Sequence, residues 1–192
     1  MKLSRAMVSP DKKLLWHYDA PAGTEIHSAQ AIGKDRVLIM QNGNPAEAMI
    51  VNTATGAIEK EIPIPTTVHG THGQFRHIRM TRSGTVLVPH LSEGKVVEYD
   101  QEGKVVWSVA AKSPCQAIRL KDGNTLIAGD ASRYAREVNP RGDTLRRTHP
   151  GTSSATFRRP ADWPMVTRSL LDSRRQRPVT LGRHCSSIGG YE

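Results

Sequence analysis

The sequence predicts an all-β protein assembled from repeated antiparallel sheets. Short β-rich runs such as "RVLIM" and "AMIV" alternate with Gly, Asn and Asp turn residues at strand-like spacing, and no amphipathic stretch has the length of a typical helix. A unit made of a tight turn followed by a strand also recurs along the chain. Such recurrence favours a repeat architecture, in which every copy contributes the same strands in the same order.

The recurring turn-and-strand unit appears as "SPDKKLLWHYDAP", "NTATGAIEKEIPIP", "DQEGKVVWSVAAK" and "NPRGDTLRRTHPG". The residues that align at the turn are Lys12, Gly56, Gly103 and Gly142. The residues four positions further on are Trp16, Lys60, Trp107 and Arg146. Asn, Asp and Gly supply the backbone conformations that close hairpins, so each unit is interpreted as a hairpin turn followed by a strand.

Two further segments complete each period. The first is "HSAQAIGKDRVLIMQNG", "RHIRMTRSGTVLVPHL" or "QAIRLKDGNTLIAG", and this alignment makes Ile39, Leu87 and Ile127 equivalent. The second is the strand "AEAMIVN", "GKVVEYD" or "YAREVN". Each period thus holds about four strands in ~40–45 residues, which is the size of a β-propeller blade.

The predicted fold is therefore a partial β-propeller of about three to four four-stranded antiparallel blades. A β-sandwich of some seven to nine strands is the alternative, but its strands have no reason to repeat one another. A blade that is apolar on both faces must stack on its neighbours. Trp16 and Trp107 are expected to be mostly buried between blades, and Trp163 is not expected to share their environment.

The charge distribution divides the chain into two predicted regions. The net charge is +9, and residues 146–192 contain nine arginines, no lysine and three acidic residues. We therefore predict an incomplete propeller over residues 1–145 and an irregular, Arg-rich tail over residues 146–192. A basic tail can bind polyanions through phosphate contacts, but this one has few aromatic residues for stacking on bases, so nucleic acid is not the expected partner.

The tail is interpreted as an aberrant or disordered segment, and a frameshift would explain it. A further blade should contain a motif like "RLKDGNT" (119–125), but the chain has "ADWPMVTRSLL" there. Reading "DWPMVTR" one nucleotide earlier permits "RLANGNT". The alternative is a genuine basic tail that was selected for polyanion binding.

The segments "DQEGKVVWSV", "SPCQAIRLKDGNTLIAG" and "AREVNPRGDTL" resemble the repeats of bacterial propellers of the pyrroloquinoline-quinone-like (quinoprotein-like) and arylsulfotransferase-like types. The resemblance covers about residues 9–145, with blades of the WD40 and YVTN size. It implies that the parent family is periplasmic or secreted. Pyrroloquinoline quinone is a cofactor by this resemblance only, and the residues themselves indicate none. The N-terminal segment has no apolar core of the ~7–15 residues that an export signal needs, so the sequence as written is expected to be cytoplasmic.

The densest cluster of chemically active residues is "TTVHGTHGQFRHIRM", with His69, His72 and His77 at H-x2-H-x4-H spacing and Arg76 and Arg79 nearby. Histidine ligates metals and titrates near neutrality. The pattern is compatible with a metal site or with a loop and strand end at the mouth of a propeller channel, and the loop is favoured because a metal needs three or four convergent ligands.

Side chains alternate between the two faces of a strand, and on this basis histidines and arginines of successive inner strands are expected at similar positions. The predicted ligand-binding residues are His27, His72, His77, Arg79 and Arg119. Such a cluster suits an anionic ligand, such as a sulfate ester or a carboxylate. Each residue could equally be structural, and Arg79 and Arg119 in particular could pair with carbonyl groups at blade edges. No catalytic residue and no metal ligand is assigned.

Three functions stay open. The first is a non-catalytic propeller module for binding or scaffolding, from a truncated quinoprotein-like member. The second is a fragment of a quinone-dependent or sulfuryl-transferring enzyme that uses the channel His and Arg residues, and the third is polyanion binding by the tail. Phosphate loops, nucleophile elbows and H-E-x-x-H motifs are absent, and no run of ~20 apolar residues predicts a membrane span. An open arc of blades would expose strand edges, which favours self-association or a protein partner over catalysis.

Overall fold

A computed structural model describes residues 4–129 and 134–148 of the 192-residue chain, and within these ranges the chain folds into β-strands joined by tight turns with one short 3₁₀ helix. The elements are β1 (Ser4–Val8), β2 (Leu14–Asp19), β3 (Glu25–Ile32), β4 (Arg36–Asn42), β5 (Glu47–Asn52), β6 (Ile58–Pro63), η1 (Thr71–Gly73), β7 (Arg79–Met80), β8 (Val86–His90), β9 (Lys95–Tyr99), β10 (Val105–Ala110), β11 (Pro114–Arg119), β12 (Thr125–Gly129), β13 (Tyr134–Val138) and β14 (Thr144–Thr148). No helix in the described ranges is long and apolar enough to cross a bilayer.

The strands form one two-stranded sheet, β1–β2, and three four-stranded sheets, which we call blade 1 (β3–β6), blade 2 (β7–β10) and blade 3 (β11–β14). Each blade is an antiparallel meander in which consecutive strands are neighbours. The predicted all-β fold of three to four blades is confirmed. β14 runs three residues past the predicted boundary at residue 145, and residues 149–192 of the predicted tail lie outside the described residues.

The turns before the outermost strands repeat as predicted. Their aligned residues all have positive φ, at 65°, 76°, 80° and 91° for Lys12, Gly56, Gly103 and Gly142. The Asn or Asp that opens the turn accepts a backbone N–H two residues on, as Asn52 does from Ala54 at 2.9 Å. The equivalent bonds from the Glu102 and Arg141 N–H groups to Asp100 and Asn139 are 3.0 and 2.9 Å. The short polar side chain and the left-handed residue together fix the hairpin.

The blades are held together by apolar side chains on both of their faces. On β4, Leu38 and Met40 join a cluster shared with blade 2, while Val37 and Ile39 on the opposite face join a cluster against the β1–β2 sheet. A separate cluster, which includes Leu87 of blade 2 and Ile127 of blade 3, fills the next boundary. Side chains alternate between faces along a strand, so each central strand serves two boundaries at once.

The first strands of neighbouring blades approach one another at one end of the stack. The His77 N–H donates to the Cys115 carbonyl at 3.0 Å, and His77 and Gln116 form a parallel β-bridge. Since these residues belong to the first strands of blades 2 and 3 or directly precede them, the inner edges of the blades converge there. We call this region the hub edge.

Trp16 and Trp107 occupy matching places on β2 and β10, and both pack against inter-blade clusters. Both are partly buried, rather than mostly buried as the sequence predicted, because they lie on outermost strands. The Trp107 Nε1–H donates to the Pro140 carbonyl at 2.8 Å, and the Arg119 guanidinium carbon lies 4.7 Å from the centre of its ring. The prediction for Trp163 falls outside the described residues.

A buried polar chain crosses blade 2. His90 is fully buried; its Nδ1 bonds the Glu93 carboxylate, and its Nε2 lies 2.9 Å from the Tyr99 hydroxyl. Burial lowers the pKa of His90, and this effect outweighs the opposing influence of Glu93. Burial also raises the pKa of Tyr99 to about 12. The pair is therefore held as a neutral imidazole and a neutral phenol near pH 7.

The turn series gives a stability prediction. Lys12→Gly should raise the free energy of unfolding by about 1 kcal/mol, because a side chain at positive φ costs ~1–2 kcal/mol and glycine does not pay it. Gly56→Ala should lower the free energy of unfolding by a similar amount, because alanine pays the positive-φ cost there. No clash adds to that cost, since the Cβ meets only open space. Gly103→Ala should cost clearly more than Gly56→Ala, because its Cβ would lie 2.8 Å from the Pro63 carbonyl oxygen. Urea unfolding of the three variants checks this order; equal costs for the two alanine variants would contradict it.

His90 gives a pH prediction. Because its folded pKa lies below the unfolded value of about 6.5, the unfolded chain takes up a proton first as the pH falls, so the free energy of unfolding should decrease below about pH 6.5. His90→Gln should remove this part of the slope, which amounts to at most about 1.4 kcal/mol per pH unit. His27 and His77 titrate in the same direction, so the measured quantity is the difference between wild-type and variant urea titrations from about pH 8 to about pH 5. Parallel slopes would show that His90 is not responsible.

Candidate functional site

The strand registers define which hub-edge residues are equivalent. In each blade the pairing of the third and fourth strands shifts register next to Val51, Tyr99 or Val138. These residues pair with Val37, Val86 and Thr125 on the second strands. Their partners on the first strands are Ala31, Met80 and Arg119. Four residues before these lie His27, Arg76 and Cys115. His27 and Cys115 are extra residues at β-bulges, because the register shifts once between the residues that flank each of them.

This register corrects the sequence alignment of blade 2 by one residue. The alignment matched Thr85 with Thr125 and so made Leu87 equivalent to Ile127, whereas the positive-φ glycines Gly84 and Gly123 show that Val88 is the true equivalent. A slip of one residue moves a strand's side chains to the opposite face. Arg76 therefore occupies the position predicted for His77, and Arg79 is not equivalent to Arg119.

Glu25, His27 and His72 form the most compact group of chemically active side chains on the hub edge. The His27 Nε2 lies 2.6 Å from the Glu25 Oε2, and the His72 Nδ1 lies 3.5 Å from the same oxygen. One potential ligand atom from each residue lies within 4.8 Å of the other two. The two imidazole rings meet edge to face with centroids 5.3 Å apart. The His27 side chain is only 13% exposed and that of His72 is 66% exposed, so the group connects the interior with solvent.

Arg76 fixes the tautomer of His27. Its Nη1 lies 3.2 Å from the His27 Nδ1. A guanidinium can only donate, so Nδ1 accepts this bond and Nε2 carries the proton that His27 donates to Glu25. Burial, with Arg76 and His72, lowers the pKa of His27 against the opposing effect of Glu25. Burial raises the pKa of Glu25, but its bonds to His27 and Thr71 and the charges of both histidines outweigh burial and leave it lowered.

Two buried amides hold the loop that carries His72. The Asn42 Nδ2 donates to the carbonyls of Thr71 at 2.8 Å and Phe75 at 3.2 Å. Gln74 accepts from the Gly43 N–H at 2.9 Å and donates to the carbonyls of Gly43 at 2.9 Å and Val68 at 2.7 Å. These bonds tie the β6–β7 connection to the end of β4, directly across from Glu25 in the register of blade 1.

A second group at the hub edge is cationic. Arg79 is half-buried, its Nη1 donates to the Ile78 carbonyl at 2.8 Å, and it forms no ion pair within the described residues. Burial lowers its pKa. His77 keeps exposed surface, but the surrounding protein removes part of its hydration; this desolvation and the charges of Arg79, Arg76 and Arg5 lower its pKa. Cations from β1, β7 and the loop before β7 therefore lie near His77.

Arg119 does not join the other predicted site residues. Its guanidinium bonds the Glu98 carboxylate, the Thr125 hydroxyl at 2.7 Å and the Gly123 carbonyl at 3.1 Å, and it stacks on Trp107. It lines a separate cleft of about 440 Å³ between blades 2 and 3. These contacts fit the alternative that Arg119 is a structural residue. Arg79 likewise donates to a backbone carbonyl, that of Ile78.

The structure thus brings His27 and His72 together, sets His77 and Arg79 beside them and leaves Arg119 apart. Sequence reasoning missed Glu25, which lies two residues before His27 at the start of β3, so a Glu-x-His pattern at a strand start was the available signal. It noted Arg76 only as a neighbour, because the one-residue slip assigned that position to His77.

No protein-family model and no curated protein sequence matches the chain. Solved structures do match it, and one of them is a WD40 propeller domain. A protein of unknown function from Bacteroides caccae is 26% identical with a TM-score of 0.69, covering 76% of this chain and 53% of that one. Virginiamycin B lyase from Staphylococcus aureus is 14% identical with a TM-score of 0.51, covering 67% and 42%. The WD40 propeller domain of Doa1 is 12% identical with a TM-score of 0.55, covering 71% and 44%.

These comparisons support a β-propeller module, and the chain spans about half the length of the solved structures that it matches. At the low identities of the lyase and the WD40 domain, the similarity concerns the fold alone.

The anchoring of the His72 loop gives a further prediction. Gln74→Leu should lower the free energy of unfolding by at least about 2 kcal/mol, because it strands buried backbone groups of Gly43 and Val68 that cost ~1–3 kcal/mol each when unpaired. Gln101→Leu is the matched control, since Gln101 is exposed and makes one long 3.5 Å bond to Gly84. Urea unfolding of both variants tests the difference. Similar stabilities would show that the Gln74 bonds do not hold the loop.

Proposed function

We propose that this chain is a β-propeller binding module that takes an anionic ligand, a carboxylate or a sulfate ester, at the cationic group of the hub edge. The observation that carries the proposal is Arg79, a half-buried guanidinium without an ion pair in the described part of the chain. Removing a charge from water without a partner is costly. Arg79 has a carbonyl partner but no counter-charge within the described ranges, and a bound anion would supply that charge.

The surroundings of Arg79 suit an anion. His77 is exposed at the same edge, and Arg76 and Arg5 lie close enough to lower its pKa. Planar guanidinium groups bind carboxylate and sulfate oxygens with two parallel hydrogen bonds, and these charge-assisted bonds are about twice as strong as neutral ones. A negative ligand would also relieve the repulsion among the cations and favour the protonated form of His77.

The module is proposed to act by binding, without turnover of its own. The proposal includes a quinoprotein-like ancestry, because the repeats resemble those of quinoprotein-like propellers. A quinone that bears carboxylates is therefore one form of the anionic ligand. The enzymatic alternative is tested by the same ligands, because a catalyst would consume them whereas a binding module would release them unchanged. Polyanion binding by the Arg-rich tail, residues 146–192, concerns mostly the part of the chain that lies outside the described residues, since the description ends at residue 148.

Arg79→Gln is the central test. Isothermal titration of the 192-residue chain with inorganic sulfate, benzoate and pyrroloquinoline quinone in separate experiments should give saturable binding of at least one of them. The variant should weaken that binding about 10- to 100-fold, as expected for a charge-assisted bond worth ~1.5–3 kcal/mol. In the absence of ligand, its stability should equal or exceed that of the wild type, because an unpaired half-buried charge is removed.

Arg82→Gln is the matched control, since Arg82 is an exposed arginine three residues further along the chain. Its variant should bind like the wild type. Equal weakening by both substitutions would indicate general electrostatic attraction and overturn the proposed site. A clear loss of stability in Arg79→Gln without any anion binding would show that Arg79 serves the fold alone.

A further inference from the structure

Glu25, His27 and His72 have the composition of a metal site. Two imidazole nitrogens and a carboxylate oxygen are the ligand set of many three-residue zinc sites, and the same set holds other divalent first-row metals. Here one atom from each residue lies within 4.8 Å of the other two. We infer that these three residues bind a divalent cation of the Zn²⁺ or Co²⁺ type at the hub edge, a property that goes beyond the proposed anion site.

The distances fit a site that closes on the ion. Metal bonds of ~2.0–2.2 Å at tetrahedral angles hold ligand atoms ~3.3–3.5 Å apart. The Glu25 Oε2 lies 2.6 Å from the His27 Nε2 and 3.5 Å from the His72 Nδ1, so these two distances need to change by less than about an ångström. The two imidazole nitrogens of the group lie within 4.8 Å of each other, so their separation needs to shorten by at most about 1.5 Å. His72 can make such a shift, because it is mostly exposed and lies on a single 3₁₀ turn.

The loop anchors give the site a partly rigid frame. Asn42, opposite Glu25 in the register of blade 1, holds Thr71 beside His72. Asn42 is fully buried and its Oδ1 has no hydrogen-bond partner in the described structure. Buried polar atoms without a partner are uncommon away from functional sites. Three protein ligands would also leave a coordination position open for water or for a ligand atom.

The hydrogen bond from Arg76 to His27 competes with metal binding. While Arg76 donates to the His27 Nδ1, the Nε2 carries the proton and cannot ligate. Metal binding at Nε2 therefore requires the imidazole proton to reside on Nδ1, and the Arg76 N–H must withdraw from that nitrogen. The metal and the Arg76–His27 hydrogen bond exclude each other. This predicts that removing the guanidinium strengthens metal binding, an effect that a structural Glu–His pair would not produce.

The test is a Co²⁺ and Zn²⁺ titration of the chelator-treated 192-residue chain. Co²⁺ should develop the visible absorption of a tetrahedral nitrogen and oxygen site at one ion per chain, and Zn²⁺ should displace it. His72→Ala and Glu25→Gln should each weaken binding at least about tenfold, since even outer partners of a metal site contribute that much. Arg76→Met should tighten binding.

His69→Ala is the matched control, because His69 is an exposed histidine in the same loop and outside the three-residue group. It should leave the titration unchanged. Equal effects of His69→Ala and His72→Ala, or no saturable site, would overturn the inference. The anion test through Arg79→Gln uses no metal, so either proposal can fail while the other holds.

Discussion

The stacking of sheets that are apolar on both faces is the constraint on which the rest of this structure depends. Leu38 and Met40 on β4 serve one boundary, and Val37 and Ile39 serve the other. An isolated blade could bury neither face, so each blade is stable only against its neighbours. The boundary between blades 1 and 2 unites the side chains of Leu38, Met40, Phe75 and Tyr99 in one cluster. Because close-packed interiors transmit displacements, this cluster also sets the separation of the inner edges.

The candidate site is a product of that same boundary. Glu25 and His27 belong to the first strand of blade 1, whereas His72 and Arg76 belong to the connection that leads into blade 2. Neither blade contains the site alone. The bulge at His27 adds one residue to the strand and alters the direction of its side chain, and Gln74 and Asn42 fix the facing loop with bonds to backbone groups. Apolar packing thus sets the distance between β3 and the facing loop, and the buried amides set the orientation of that loop.

The sequence was sufficient for the features that depend on local chemistry. Asn or Asp before a left-handed glycine predicted the outer turns at Gly56, Gly103 and Gly142, because a hairpin needs that backbone conformation wherever it occurs. The alignment placed Lys12, in a turn that Ser9 opens, at the same position. Four strands per period followed from the same alignment.

The side chains at the hub edge could not be predicted in the same way, because they meet across a blade boundary and no local sequence pattern indicates that contact. The threonine match in blade 2 exchanged Arg76 for His77, and Arg119 was grouped with residues from which Glu98 and Trp107 separate it. Glu25 carried no periodic signal.

Arg76 connects the two groups of the hub edge. Its guanidinium bonds the His27 imidazole and contributes to the lowered pKa of His77, so it belongs both to the Glu25–His27–His72 group and to the cations around Arg79. If a divalent ion occupies the first group, the withdrawal of Arg76 from Nδ1 and the added positive charge both favour an anion at the second. Thermodynamic linkage then requires the reverse effect of equal size, so a bound anion must strengthen metal binding by the same factor. A single side chain at a blade boundary would thereby couple two sites that have no ligand residue in common.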